Sequence, residues 1–126
     1  MSAYWIARAR VIDPERYWKY AQQVPAITAR YGAKVLARGG EFETVEGRGD
    51  FTRFVILEFP SLEDALACYH SADYQAAREF RIHGAGEAEI TLLQGGEFTS
   101  AQGLAAASAS GQTMQLEPPP RDISSA

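Results

Sequence analysis

The sequence predicts an α+β domain: a four-stranded antiparallel sheet with its helices on one face, in the order β-α-β-β-α-β. Three observations carry that prediction. Apolar runs of period two alternate with runs of helical period along the chain. Turn and cap residues separate them, at Asp13-Pro14, Gly32, Gly47-Arg48-Gly49-Asp50, Ser61 and Gly84-Ala85-Gly86. Two halves of similar length, each containing a strand and a helix, meet at the 47–50 turn.

The first strand is expected from Tyr4 to Val11 or Ile12, with Trp5, Ala7, Ala9 and Val11 on one face and Tyr4, Ile6, Arg8 and Arg10 on the other. Asp13 then serves as N-cap, Pro14 as first helical residue and Glu15 as a first-turn acid. Tyr17, Tyr20, Ala21, Val24, Thr28 and Tyr31 keep helical spacing up to Gly32, a left-handed stop. Pro25 falls inside that run and is expected to kink the helix, because its ring clashes with the preceding turn. Strand two is expected over 34–46, bulged or bent at Gly39-Gly40, and strand three over 52–59. Ser61 to Asp64 reads as a capping box whose hydroxyl and carboxylate each serve a free amide. Leu62, Ala65, Leu66 and Tyr69 are the expected inner stripe of the helix that follows. Ser71 caps a second short helix over 72–80, and strand four is expected over 88–93.

The run Phe54-Val55-Ile56-Leu57-Glu58-Phe59 is apolar on both faces. An antiparallel strand with one face in water alternates instead. Trp5 beside Ile6 and Leu92 beside Leu93 repeat the pattern. With helices on one face only, a second copy of the chain is expected to cover the other, giving a two-fold homodimer with a barrel-like interior.

All fourteen aromatics lie before residue 99. The domain is therefore placed at 1–98. Residues 99–126, rich in Ala, Ser, Gly and Pro, read as a tail with too little large apolar surface to offset the entropy of ordering it. The alternative is an arm laid on a neighbouring subunit through Leu104, Met114, Leu116 or Ile123. Net charge is −4, against nucleic-acid binding, which needs a basic stripe. The single cysteine, Cys68, excludes an intrachain disulfide or a thiolate metal cluster, and two histidines without a third ligand do not make a metal site. No apolar run reaches membrane-spanning length, and the N-terminus lacks the basic-then-apolar form of a secretory signal, so a cytoplasmic protein is expected.

With the elements in place, the chain resembles the domain-of-unknown-function family numbered thirteen-thirty, in the dimeric α+β barrel, ferredoxin-like superfamily. The resemblance rests on Tyr4-Trp5-Ile6, Asp13-Pro14-Glu15-Arg16-Tyr17, Tyr31-Gly32-Ala33-Lys34, Arg38-Gly39-Gly40, Glu46-Gly47, Glu58-Phe59-Pro60-Ser61 and the run from Tyr69 to Ala76, and covers about residues 3–96. Cys68, where a large aromatic is expected, and the long tail depart from the pattern. The resemblance implies the fold and the dimer but no reaction, since the family's activity is unassigned. The superfamily includes cofactor-free monooxygenases, lactone isomerases, cyclases and haem-degrading proteins, and a function taken from it would rest on fold alone.

The candidate site residues come from the residues themselves. Glu58, near the end of an apolar strand, is a candidate general base if burial raises its pKa, or else a partner of Arg38 or Arg8 in an ion pair. Arg38 precedes a double glycine and can hold a carboxylate through a forked pair of hydrogen bonds, or is a structural residue at a bulge. Tyr74 is a candidate for steadying developing negative charge. His70 ends a helix, where it caps the last turn or joins the catalytic set. Tyr17 and Tyr69 are expected as pocket walls, and Arg8 as a group reaching the pocket or the dimer seam. Cys68 is expected as packing. The sequence supports a cofactor-free enzyme moving a proton on a small oxygen-bearing organic molecule, with a non-catalytic binding or assembly module as the alternative.

Overall fold

The computed structural model describes residues 1–96. The strands are β1 (Ala3–Val11), β2 (Lys34–Arg38), β3 (Arg53–Phe59) and β4 (Gly86–Gln94). Between them lie α1 (Pro14–Ala21), α2 (Val24–Ala29), α3 (Leu62–His70) and α4 (Ala72–Arg78). The sheet is antiparallel throughout, in the order β2-β3-β1-β4. This is the expected ferredoxin-like arrangement. The expected tail at 99–126 lies outside the described residues.

The helix-covered face holds the core. Ala3, Trp5 and Ala9 of β1 are buried, as are their neighbours Leu57 and Phe59 of β3. The Trp5 ring stacks on Phe59 at 5.9 Å and meets Tyr74 of α4 edge-on at 5.2 Å. Cys68 is fully buried, and burial pushes its thiol up to about 11, which suits packing rather than thiolate chemistry.

Local chemistry explains most of the element ends. The Asp13 carboxylate accepts from the Arg16 amide at 3.2 Å, and the Ser71 hydroxyl accepts from the Tyr74 amide at 3.1 Å. The Ser61 cap differs from a capping box in one respect. Its hydroxyl accepts from the Asp64 amide at 3.0 Å, but the Asp64 carboxylate accepts the Ser61 hydroxyl rather than a backbone amide. Pro25 ends one helix and starts another instead of kinking a single one. The break falls at Gln22-Gln23, and Pro25 takes an N-terminal position of α2, where a missing amide hydrogen costs nothing.

Three expectations are corrected. β2 stops at Arg38 rather than running to 46, because Gly39 and Gly40 have φ of 66° and 84°, outside any extended ladder. The bulge lies earlier, at Leu36, where the register with β3 shifts between Val35 and Ala37. The inner stripe of α3 is Ala65 and Cys68, while Leu66 faces water.

No described helix covers the other sheet face. Ile6, Ile56 and Leu93 on it are 39%, 36% and 54% exposed, and the exposed Phe42 packs its ring on Phe54 at 5.0 Å. Two cross-strand ion pairs, Arg8–Glu89 at 3.0 Å and Arg10–Glu87 at 2.8 Å, lie at one end of this face.

Candidate functional site

A cleft opens between α1, α2 and the helix-covered face of the sheet. Its origin is the small side chains on its floor. Ala7 and Ala9 of β1 and Ala88 of β4 stand where larger residues would fill the space beneath the helices. Tyr17, Tyr20 and Thr28 form the helical wall; Val35, Val55 and Ile90 add apolar floor. The cleft has a cavity volume of about 50 Å³, and the space outside atoms reaches about 590 Å³ only when its open mouth is included. It is therefore a narrow slot, wide enough for a flat group or a few waters.

An aromatic cluster backs the slot. The Tyr17 and Tyr20 rings meet edge-on at 5.5 Å. The Tyr20 hydroxyl shares a buried 2.7 Å hydrogen bond with the Tyr74 hydroxyl. Tyr69 packs beside both Tyr74 and Trp5. Behind them Arg81, only 6% exposed, sets its guanidinium 5.1 Å from the Tyr20 ring centre, and its Nε has no hydrogen-bond partner. Burial first, and the neighbouring Tyr74 second, push the Tyr20 phenol far above its ordinary value. Burial also raises Tyr74 and Tyr17, against the opposing pull of arginines. These are neutral phenols at neutral pH: hydrogen-bond donors, not bases.

Three arginines line the slot, Arg8 from β1, Arg38 from the end of β2 and Arg53 from the start of β3, and Arg8 is the one paired with a carboxylate. The Arg53 guanidinium is 5.7 Å from the Tyr17 ring centre. Among the described residues, no carboxylate, histidine or cysteine lines the slot.

The sequence-predicted site residues divide between the two sheet faces. Tyr17, Arg38 and Arg8 are among the residues lining the slot, while Tyr74 and Tyr69 lie in the aromatic backing. Glu58 is elsewhere. It is half-buried on the uncovered face, in register with Tyr4 and Lys34. The idea that Glu58 and Arg38 share one site is therefore corrected for the single chain. The bulge at Leu36 is the reason. Without it, Arg38 would share a face with Lys34 and hence with Glu58; the extra residue turns Arg38 to the face of Val55, its partner on β3. Neither Arg38 nor Arg8 pairs with Glu58. The Arg8 guanidinium is held by Glu89 over the Phe51 ring on the uncovered face. His70 is exposed at the end of α3, its ring edge-on to Tyr69 at 5.2 Å.

Tyr20, Arg53 and Arg81 were not among the predicted site residues. Tyr20 was legible as part of the helical stripe that holds Tyr17. Arg53 has the parity of Val55 and Leu57, which marks it as facing the helices once that face is known.

The molecule so defined is a small ferredoxin-like α+β domain with an aromatic slot between helices and sheet. The chain belongs to the family described as domain of unknown function (DUF1330), whose model matches residues 2–96. Similar folds occur in solved structures of low sequence identity. A protein of unknown function from Rhodopseudomonas palustris has a TM-score of 0.61 at 18% identity, over 75% of this chain and 82% of that one. SnoaB, a cofactor-independent oxygenase from Streptomyces nogalater, has a TM-score of 0.54 at 11% identity, over 75% and 93%. A dimeric protein of unknown function and ferredoxin-like fold from Bacteroides fragilis has a TM-score of 0.52 at 13% identity, over 75% and 96%. At these identities the likeness is one of fold. No curated protein matches the chain. No described helix is long and apolar enough to cross a membrane.

Proposed function

We propose that this protein is a homodimer whose subunits each bind a small organic molecule in the slot between helices and sheet. The observation that carries the reading is the slot itself: a narrow apolar floor of Ala7, Val55 and Ile90, with the hydroxyl-bearing Tyr17 and Tyr20 and a few polar groups for orientation. Small-molecule sites have that composition, and an evenly packed core does not leave such a gap.

Catalysis is the narrower reading. The slot presents groups that steady negative charge, two neutral phenols and two guanidinium groups without a carboxylate partner among the described residues, and no carboxylate base among its lining residues. A reaction here suits a substrate that ionises readily by itself, such as an enol or an acidic phenol. Glu58 is not the base of this slot, because it faces the other side of the sheet.

The test is a thermal-shift screen with small aromatic and keto-acid compounds on the full chain and on Ala7→Leu, which fills the floor. A ligand of this slot raises the melting temperature of the native chain by mass action and leaves that of Ala7→Leu unchanged. Equal shifts in both proteins, or none in either, refute the assignment.

A further inference from the structure

Seven of the nine described arginines fall into two groups; Arg16 and Arg78 make no ion pair with a described residue, and neither lines the slot. Arg8, Arg10, Arg30 and Arg48 each pair with a carboxylate, at 3.0, 2.8, 2.7 and 3.2 Å, and of these four only Arg8 is among the residues lining the slot. Arg38 and Arg53 line the slot and make no ion pair with any described residue. Buried Arg81 behind the tyrosines likewise lacks a carboxylate. In a chain of net charge −4, Arg38 and Arg53 at the slot and Arg81 behind its tyrosines thus carry guanidinium groups with no carboxylate partner among the described residues.

That partition bears on the ligand. Arg38 and Arg53 sit on adjacent strands and on the same face: Arg38 pairs with Val55, and Arg53 is two residues from Val55 along β3. Both arginines line the slot. Arg53 is half-buried against Tyr17, which draws its charge out of bulk water. A cation in that setting gains most from an anion that brings paired oxygens, because a guanidinium binds carboxylate through two parallel hydrogen bonds.

We infer that the ligand is an organic carboxylate with a flat apolar body, its carboxylate held by Arg38 and Arg53 and its body in the slot beside Tyr17 and Tyr20. This rests on the proposed ligand site and adds the charge of what occupies it. The width of the slot selects the flat body, and the absence of any carboxylate from its lining removes the repulsion that would otherwise oppose an anion.

Benzoate and its neutral isostere benzamide separate the two ideas. Binding of each to the full chain is followed by nuclear magnetic resonance titration, with the native protein, Arg38→Gln and Arg53→Gln compared. Benzoate is expected to bind the native chain, shifting signals of β1 and α1, and to weaken about tenfold in each variant, the scale of a lost charge-assisted hydrogen bond. It should also weaken as salt is raised, whereas benzamide should bind more weakly to the native chain and equally to all three proteins. Arg38 is exposed, so Arg38→Gln keeps the comparison alive if Arg53→Gln fails to fold. Benzamide matching benzoate at the slot, with no effect of either substitution, overturns the anion inference and leaves the slot standing as a ligand site. Failure of both compounds to bind overturns both.

Discussion

At the scale of single residues, the tyrosines make the buried polar contacts of the core. Tyr20 and Tyr74 share a 2.7 Å hydrogen bond inside the molecule, with Arg81 beside them. Burial raises both phenols, and Tyr17, above the ordinary 10.0, and raises the Cys68 thiol from 9.0 to about 11. Each group is held neutral in the fold at a pH where the unfolded chain has begun to ionise. The fold then holds more protons than the unfolded chain, so stability falls with rising pH. The contribution is full below pH 9.0 and is lost as pH climbs through the raised values. The urea midpoint should therefore be level near neutrality and drop between pH 9 and about 11. Tyr74→Phe removes one raised phenol and should flatten that drop. At neutral pH it should cost about 1–3 kcal/mol, because the Tyr20 hydroxyl and Arg81 lose a buried partner. An alkaline slope unchanged in Tyr74→Phe would show that Tyr74 is not part of it.

At the scale of elements, junctions decide where the slot lies. α2 ends in a turn at Gly32, whose φ of +84° is left-handed, and a Cβ there would come within 2.8 Å of Pro60 at the start of the α3 connection. The two halves of the fold are thus clamped by one contact that only glycine permits. Gly32→Ala should lower stability by about 1–3 kcal/mol through strain and overlap together, measured as a fall in the urea midpoint at constant slope. A neutral result would mean that Pro60 yields freely. The β2 bulge is the second such junction. One extra residue at Leu36 moves Arg38 from the uncovered face of the sheet to the slot.

The uncovered sheet face governs the whole molecule. Ile6, Ile56 and Leu93 give it an apolar centre too exposed for a lone domain, with the Arg8–Glu89 and Arg10–Glu87 pairs toward one end. A second copy laid on this face meets the same residues in two-fold order. Light scattering of the native chain should give twice the 13.8 kDa chain mass, and Ile56→Asp should shift the population to the monomer. A native monomer at micromolar concentration would refute the dimer.

Most strand and helix positions, the caps at Asp13 and Ser71 and the two-faced apolar strands were legible in the sequence, because each is written in neighbouring residues; the end of β2, the break before α2 and the Asp64 half of the Ser61 cap were not. The aromatic stripe of α1 was legible too. The pairing of Glu58 with Arg38 was not available from the sequence and is overturned by the fold. Which face a side chain takes depends on register, and register is a long-range property that a single bulge inverts. The Tyr20–Tyr74 bond spans 54 residues, and the slot exists only where alanines from two strands meet two helices. Local chemistry by itself determined the elements and their order; the tertiary structure decided which polar groups meet, because that rests on parity and packing between segments far apart in the chain.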